Sequence, residues 1–333
     1  MTTITDDQLY QYADRVKGKV VLITGAANGI GKQAALSFAS HGAKVVIGDL
    51  DLPGAEKVVA EINQAGGQSA CLRCDVTKWD DQVDLFEFAE TTYGSVDVVV
   101  PNAGVTEIGK FHVVPLANGR PSQPPSTKTL EINLIAVTYT AYLGIFYLKK
   151  NKADGDLKAL ILLGSMASWQ AIPGGPMYSA SKHGVLGFMR SLYHPCLDDG
   201  IRIGIVHPFF ADTAIVPIYV KLALAGIPLT PTARIAGAVF YAATDPDMES
   251  SGCPWLLPDD GYVFRLPREQ LKEGVYRMID ERANAAIGGV QNVRMVTAVV
   301  RDVWRLVGRK IFFAALGALA TQRGYKLYLQ NNA

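Results

Sequence analysis

Cysteine is scarce in this chain: Cys71, Cys74, Cys196 and Cys253 are the only four in 333 residues. Four scattered thiols make no disulfide framework, and Cys71-x-x-Cys74 has neither a second pair nor a histidine partner to hold a metal. That pattern reads as reduced thiols, no metal and a cytoplasmic protein. Charge of one sign is not in excess either. With 32 Lys and Arg against 31 Asp and Glu the formal net charge is +1, so no general attraction to nucleic acid follows. The start, MTTITDDQLYQYADR, lacks the basic and then apolar run of a secretory leader and is expected to remain on a soluble protein.

What is present is an apolar run that stops at a glycine-rich turn, KVVLITGAANGIG over residues 19–31. Val20 to Ile23 read as a buried parallel strand, and Gly25, Gly29 and Gly31 open a helix that begins near Ile30. Glycines let backbone N–H groups approach a pyrophosphate, and a helix N-terminus favours its charge. The spacing G-x-x-x-G-x-G is a weak signal alone, because Gly-rich turns are common. About twenty residues on, a second apolar strand ends in Asp49, from which a carboxylate can bond both hydroxyls of an adenosine ribose. A 2′-phosphate would meet Asp49 and Asp51 with no Arg in the loop, so the cofactor expected is NAD rather than NADP.

Apolar runs near residues 69–75, 96–102, 157–165, 201–208 and 255–264 then alternate with amphipathic stretches at 33–41, 54–65 and 82–93. Runs that are continuous rather than alternating predict a doubly wound α/β fold, a parallel sheet of about seven strands covered on both faces. Ligands of such sheets bind at the carboxyl ends of the strands. Those ends carry the glycine turn, Asp49, Asp75-Val76, Asn102-Ala103-Gly104, Ser165 and Pro208. Tyr178 and Lys182, four residues apart, share one face of a helix. An ammonium beside a phenol favours the phenolate and makes Tyr178 a usable general base, while Ser165 can hold a substrate oxygen as charge develops on it. Each also has a plain structural reading: Tyr-x-x-x-Lys occurs by chance, and Ser165 can simply cap a strand.

With these motifs in this order, the chain resembles the short-chain dehydrogenase/reductase family from about Lys17 to Tyr262. The resemblance implies a Rossmann-type catalytic domain over 1–262; it does not explain 263–333, which reads from its own pattern as a helical extension. It implies that Gly25, Asn28, Gly29, Ile30 and Gly31 of the turn hold the pyrophosphate and Asp49 the adenosine ribose. Asp75 and Val76 would contact adenine, Asn102, Ala103 and Gly104 would line the cofactor floor, and Lys182 would bond the nicotinamide ribose. Pro208 and Thr213 would lie by the nicotinamide, Thr213 on its carboxamide, although Phe209 stands where the family has Gly. Asn133 has no warrant of its own; by resemblance it fixes a water that links Lys182 to solvent and completes a relay with Ser165 and Tyr178. The activity implied is hydride transfer between NAD and a secondary alcohol or ketone, with Tyr178 exchanging the proton. The segments at 128–134, 142–144, 179–184 and 212–215 are most like those of NAD-dependent alcohol dehydrogenases in the family. Where such relatives carry a Gln three residues before the catalytic Tyr, this chain has Gly175, which implies a roomier site for an apolar molecule.

Three stretches remain open. The Pro-, Gly- and Ser-rich segment between Val105 and Thr129 either flanks the substrate entrance or is a solvated insertion. AIVPIYVKLALAGIPL after Thr213 suits either a lid over an apolar ligand, with Ile215, Ile218, Tyr219, Leu222 and Leu224 facing it, or a core helix. In the tail, 291–310 reads as a basic amphipathic helix and 311–320 as an uncharged run too short to span a bilayer. Packing on this subunit or on a mate in a homodimer or homotetramer is favoured there over contact with a membrane surface.

Overall fold

The computed structural model describes residues 1–150, 152–153, 155–211, 213, 216, 224–268, 301 and 304–305. Residues Met1–Gln270 form one compact unit and Leu271–Ala333 a second. Of the second, only Arg301, Trp304 and Arg305 are among the described residues, and all three are exposed.

The first unit is built on the apolar runs. They form β2 (Val20–Thr24), β3 (Lys44–Asp49), β4 (Gln68–Arg73), β5 (Val98–Pro101), β8 (Ala159–Leu163), β9 (Arg202–Pro208) and β10 (Pro254–Leu257), all paired in parallel. Two further strands, β11 (Val263–Arg265) and β1 (Thr2–Ile4), add antiparallel at one edge, so among the described residues the sheet has nine strands rather than about seven. The last apolar run is thus two strands, and the sheet continues past Tyr262. A strand of three residues with TTI in a polar lead-in carries too little periodicity to be read from the sequence; its pairing with β11 creates it.

Successive residues of each strand face opposite layers. Val21, Ile23, Val45 and Ile47 pack with Phe38 and Phe240 on one side. Val20, Leu22, Val46 and Val99 pack with Leu85, Phe86 and Met189 on the other. Each such fully buried side chain contributes about 1.5–3 kcal/mol. Among the described residues the covering helices are α1 (Gly29–Ser40), α2 (Leu52–Gln64), α3 (Trp79–Tyr93), α4 (Lys128–Lys149), α5 (Pro176–Asp198) and α6 (Thr232–Thr244). At the amino ends of the strands, Lys158 and Asp97 form a buried ion pair at 2.9 Å, and Asp97 also accepts from the Val20 N–H at 2.8 Å. At the carboxyl ends lies a crevice where β2 has β3 on one side and β5 on the other, the switch point at which such sheets bind ligands.

Between β5 and α4 the Pro-, Gly- and Ser-rich segment forms its own small hairpin, β6 (Leu116–Ala117) and β7 (Arg120–Pro121). The turn is Asn118-Gly119, both at positive φ (52° and 73°), as the favoured two-residue hairpin turn requires.

Candidate active site

The glycine turn is shaped by what surrounds it. A Cβ on Gly25 would lie 2.6 Å from Ala103 Cα, and one on Gly31 would collide with the Gly25 carbonyl and Asn102 Nδ2. Only glycine fits either place. Asn102 holds the turn from the next strand, its Nδ2 donating to the Thr24 and Gly25 carbonyls at 3.0 and 2.7 Å. Thr24 Oγ1 in return accepts the Asn102 and Ala103 N–H groups, both at 3.2 Å. The N-terminus of α1 that follows has no side-chain cap from Asn28 and no acid in its first turn. Gly29 and Ile30 thus open the helix with main-chain donors available to an anion.

Asp49 stands against the same turn, with Oδ2 accepting from the Ala27 N–H at 2.8 Å and Oδ1 from the Asp51 N–H at 2.9 Å. Thr213 meets the turn from the other side; its Cγ2 would be 3.5 Å from a Cβ on Gly29. A pyrophosphate and a ribose diol therefore find donors and a carboxylate in one place, and the residues present fit a bound NAD. Asp75 is farther along this edge, with Oδ1 held by the Thr77 hydroxyl at 2.7 Å, and that bond keeps its carboxyl below the usual range. Val76 packs beside it against the sheet. Pro208 is the buried last residue of β9, and Gly104 approaches Asn133, whose Oδ1 would be 3.2 Å from an added Cβ.

The chemical residues converge from three elements. Helix α4 contains a π-helical turn over Glu131–Ile135, a distortion often met at functional sites. It carries Asn133, which is fully buried; its Oδ1 accepts from the Val105 N–H and its Nδ2 donates to the Val105 carbonyl, both at 2.8 Å. The side chain is thus committed to the main chain leaving β5 and, at 3.4 Å, to Ser181 Oγ. Ser165, just past β8, accepts from the Ala167 N–H at 3.1 Å, and its hydroxyl is near enough to the Tyr178 hydroxyl to favour the ionised phenol. Lys182 is buried one turn along α5 from Tyr178; its Nζ donates to the Leu163 carbonyl at 2.8 Å and lies 5.9 Å from the Tyr178 ring centre.

Electrostatics here run partly against expectation. Burial pushes the Tyr178 phenol up, and the nearby Ser165 hydroxyl only partly offsets it. Burial also lowers Lys182 to about 8. Without ligand, desolvation outweighs the attraction between ammonium and phenolate.

Two residues not visible as site members in the sequence support this group. Glu107 reaches from the loop after Gly104 to the N-terminus of α5, accepting from the Tyr178 N–H at 2.7 Å and the Met177 N–H at 3.3 Å. No local spacing announces a cap that lies 71 residues away. His207, fully buried, sets Nδ1 3.2 Å from the Ser165 nitrogen and 3.0 Å from its carbonyl oxygen, with Trp169 at 4.2 Å between ring centres. Among the described residues its Nε2 has no hydrogen-bond partner, and burial lowers its pKa to about 3. A histidine following the apolar IGIV near the carboxyl end of β9 was the available signal.

Phe209 does not disrupt the path beyond β9: its N–H donates to the Leu257 carbonyl at 2.7 Å, and the Phe210 carbonyl accepts from Thr230 at 2.9 Å. Of the expected lid, Ile215, Ile218, Tyr219 and Leu222 lie outside the described residues. Among the described residues no three His, Cys, Asp or Glu side chains group as metal ligands.

A family model described as short chain dehydrogenase matches residues 19–219. The 15-hydroxyprostaglandin dehydrogenase [NAD(+)] of Bos taurus is 30% identical over 267 residues, covering 78% of this chain and 94% of that one. The cyclohexanol dehydrogenase of Acinetobacter sp. (strain SE19) is 30% identical, covering 79% and 97%. Among solved structures, the 3-ketoacyl-(acyl-carrier-protein) reductase from Brucella melitensis complexed with NADH superposes with a TM-score of 0.65 at 28% identity, over 74% of this chain and 98% of that one.

Proposed function

Since the chain belongs to the short-chain dehydrogenase family, we propose that it moves a hydride between NAD and a secondary alcohol or ketone on an apolar small molecule, with Tyr178 exchanging the proton. The observation that carries this reading is that Lys182 Nζ lies 5.9 Å from the Tyr178 ring centre, with the Ser165 hydroxyl near enough to the Tyr178 hydroxyl to act on its acidity, beside a turn in which only glycine fits. A substrate oxygen set between those two hydroxyls receives a hydrogen bond from Ser165 and exchanges its proton with Tyr178. Bound NAD supplies the hydride acceptor on carbon. Lys182 supplies the positive charge that, with an oxidised nicotinamide, counters the burial penalty on the phenolate. Glu107 keeps Tyr178 in place from the far side of the helix end, and His207 keeps the Ser165 main chain in place.

An apolar substrate is supported by the names of the relatives, a prostaglandin and a cyclohexanol dehydrogenase, and by Gly175 before Tyr178. The same residues serve ketone reduction, the direction named for the Brucella neighbour; the ratio of the two cofactor forms decides which runs. We place the enzyme in the cytoplasm as a homodimer or homotetramer. Tyr142 and Phe146 on α4, with Trp79 on α3, are 70%, 59% and 42% exposed and form an apolar face suited to a mate.

NADH absorbance with a panel of apolar secondary alcohols, comparing wild type with Tyr178→Phe, tests the reaction. Turnover should fall at least a hundredfold in the variant, with NADH binding by fluorescence unchanged. Equal turnover in both would sink the assignment, and preference for NADP would sink the role of Asp49.

A further inference from the structure

Residues 109–127 leave the catalytic unit and return to it through a narrow neck. The Ile108 N–H donates to Thr129 Oγ1 at 2.9 Å, and that hydroxyl reaches the Thr106 carbonyl at 3.2 Å. Beyond the neck the excursion is ordered by its own chemistry. Its Asn-Gly turn, the pairs Leu116↔Pro121 and Ala117↔Arg120, and the Ser122 N–H on the Pro115 carbonyl at 2.9 Å hold the hairpin. What it holds out is unusual for a soluble surface: Phe111 is 51% exposed, Val113 53%, Val114 54% and Leu116 66%, four large apolar side chains within six positions. A flexible polar insertion would have no such side chains, and a lid folded shut would have buried them.

The charge around that tip has one sign. Lys110, Arg120 and Lys128 are all exposed, and no Asp or Glu occurs from Ile108 to Leu130. The carboxylates bounding the segment are both engaged, Glu107 by the start of α5 and Glu131 by the Thr127 hydroxyl at 2.6 Å. Among the described residues, none of the three cations has an ion-pair partner. Apolar side chains at a tip, flanked by unpaired cations and free of acids, are the complement of an anionic lipid surface: the apolar groups enter the headgroup boundary and the cations meet the phosphates and carboxylates.

We propose that the hairpin at 109–127 docks this protein on anionic bilayers. The neck ties the hairpin to Thr129, four residues before Asn133, so docking sets the chemical centre close to the lipid in which apolar alcohols and ketones dissolve. Vesicle binding requires neither substrate nor turnover, so its outcome is separate from that of the proposed reaction.

The test is co-sedimentation of the full-length chain with phosphatidylcholine vesicles, with and without phosphatidylserine. Three proteins are compared: wild type, Phe111→Ser/Leu116→Ser, and Lys110→Ala/Arg120→Ala. Every substituted side chain is exposed, and an unchanged melting temperature shows that the fold is intact. Wild type is expected to bind the anionic vesicles only. Binding should weaken about fivefold for each cation removed, and the loss should diminish at high salt. Variants that bind as tightly as wild type would overturn the proposal, since the lipid contact would then belong to another segment such as 291–320. So would wild type that fails to sediment, or that sediments equally with neutral vesicles. A variant that changes the oligomeric state in light scattering, with no vesicle binding by any of the proteins, would give the tip to a second copy of the chain.

Discussion

Glu107 is half-buried and spends both carboxylate oxygens on the first turn of α5, so its effect on chemistry passes through Tyr178. Glu107→Ala should cost about 1 kcal/mol of stability, as the loss of a helix cap does, and should lower kcat far more than it raises KM for NAD. Glu107→Gln, which retains one acceptor oxygen, should recover part of the loss; steady-state kinetics on the three proteins checks it. Lys182 illustrates the opposite relation between stability and activity. Its fall from 10.5 to about 8 corresponds to a cost of about 3 kcal/mol for keeping the charged form buried. That cost is fully present below pH 8, where folded and unfolded chains are both protonated. It fades as pH rises to 10.5, so stability increases across that window. Lys182→Met should therefore melt higher, at about 2–4 °C per kcal/mol, while losing turnover. Calorimetry beside the NADH assay decides, and a lower melting temperature would count against the burial argument.

Among the elements, the turn between β2 and α1 has the least tolerance. Gly31→Ala drives a methyl into the Gly25 carbonyl and Asn102 Nδ2. It should destabilise the fold by about 1–3 kcal/mol and abolish NADH binding in a fluorescence titration, whereas an alanine at the open Gly187 should do neither. The parallel strands were legible because a strand covered on both faces is apolar along most of its length, as VVLI is in β2. The turn, Asp49 and the Tyr178–Lys182 spacing were legible because local spacing carries them. The hairpin at β6 and β7 was not seen, since strands of two residues show no period, although its Asn-Gly pair was there to read. Glu107 and His207 act on the main chain of residues 71 and 42 positions away, and no local pattern encodes such a partner. Asn133 was placed by resemblance alone. Its observed bonds to Val105 make it a clamp between α4 and the exit of β5, and that is a physical reason for an amide at this position: it needs both a donor and an acceptor.

For the molecule as a whole, the response to acid follows from His207. Folding lowers its pKa from 6.5 to about 3, so between those values the unfolded chain binds a proton that the folded chain refuses. Stability should fall as pH falls through that window, by about 1.4 kcal/mol per pH unit for this one proton. Lys182 and Arg190 add to the penalty on the charged ring, and the Ser165 carbonyl opposes it. Urea unfolding of wild type and His207→Gln across mildly acid pH measures this; parallel curves would show that other groups set the response. The edge of the sheet has a different consequence. Thr2–Ile4 pairs with Val263–Arg265, so among the described strands of the sheet the first to be made receives its partner last. At about 5–20 residues per second, Thr2–Ile4 waits roughly 13–50 s for that partner. Throughout that interval the nascent chain offers an unpaired strand to whatever chaperone, neighbouring polysome or fused tag lies nearby.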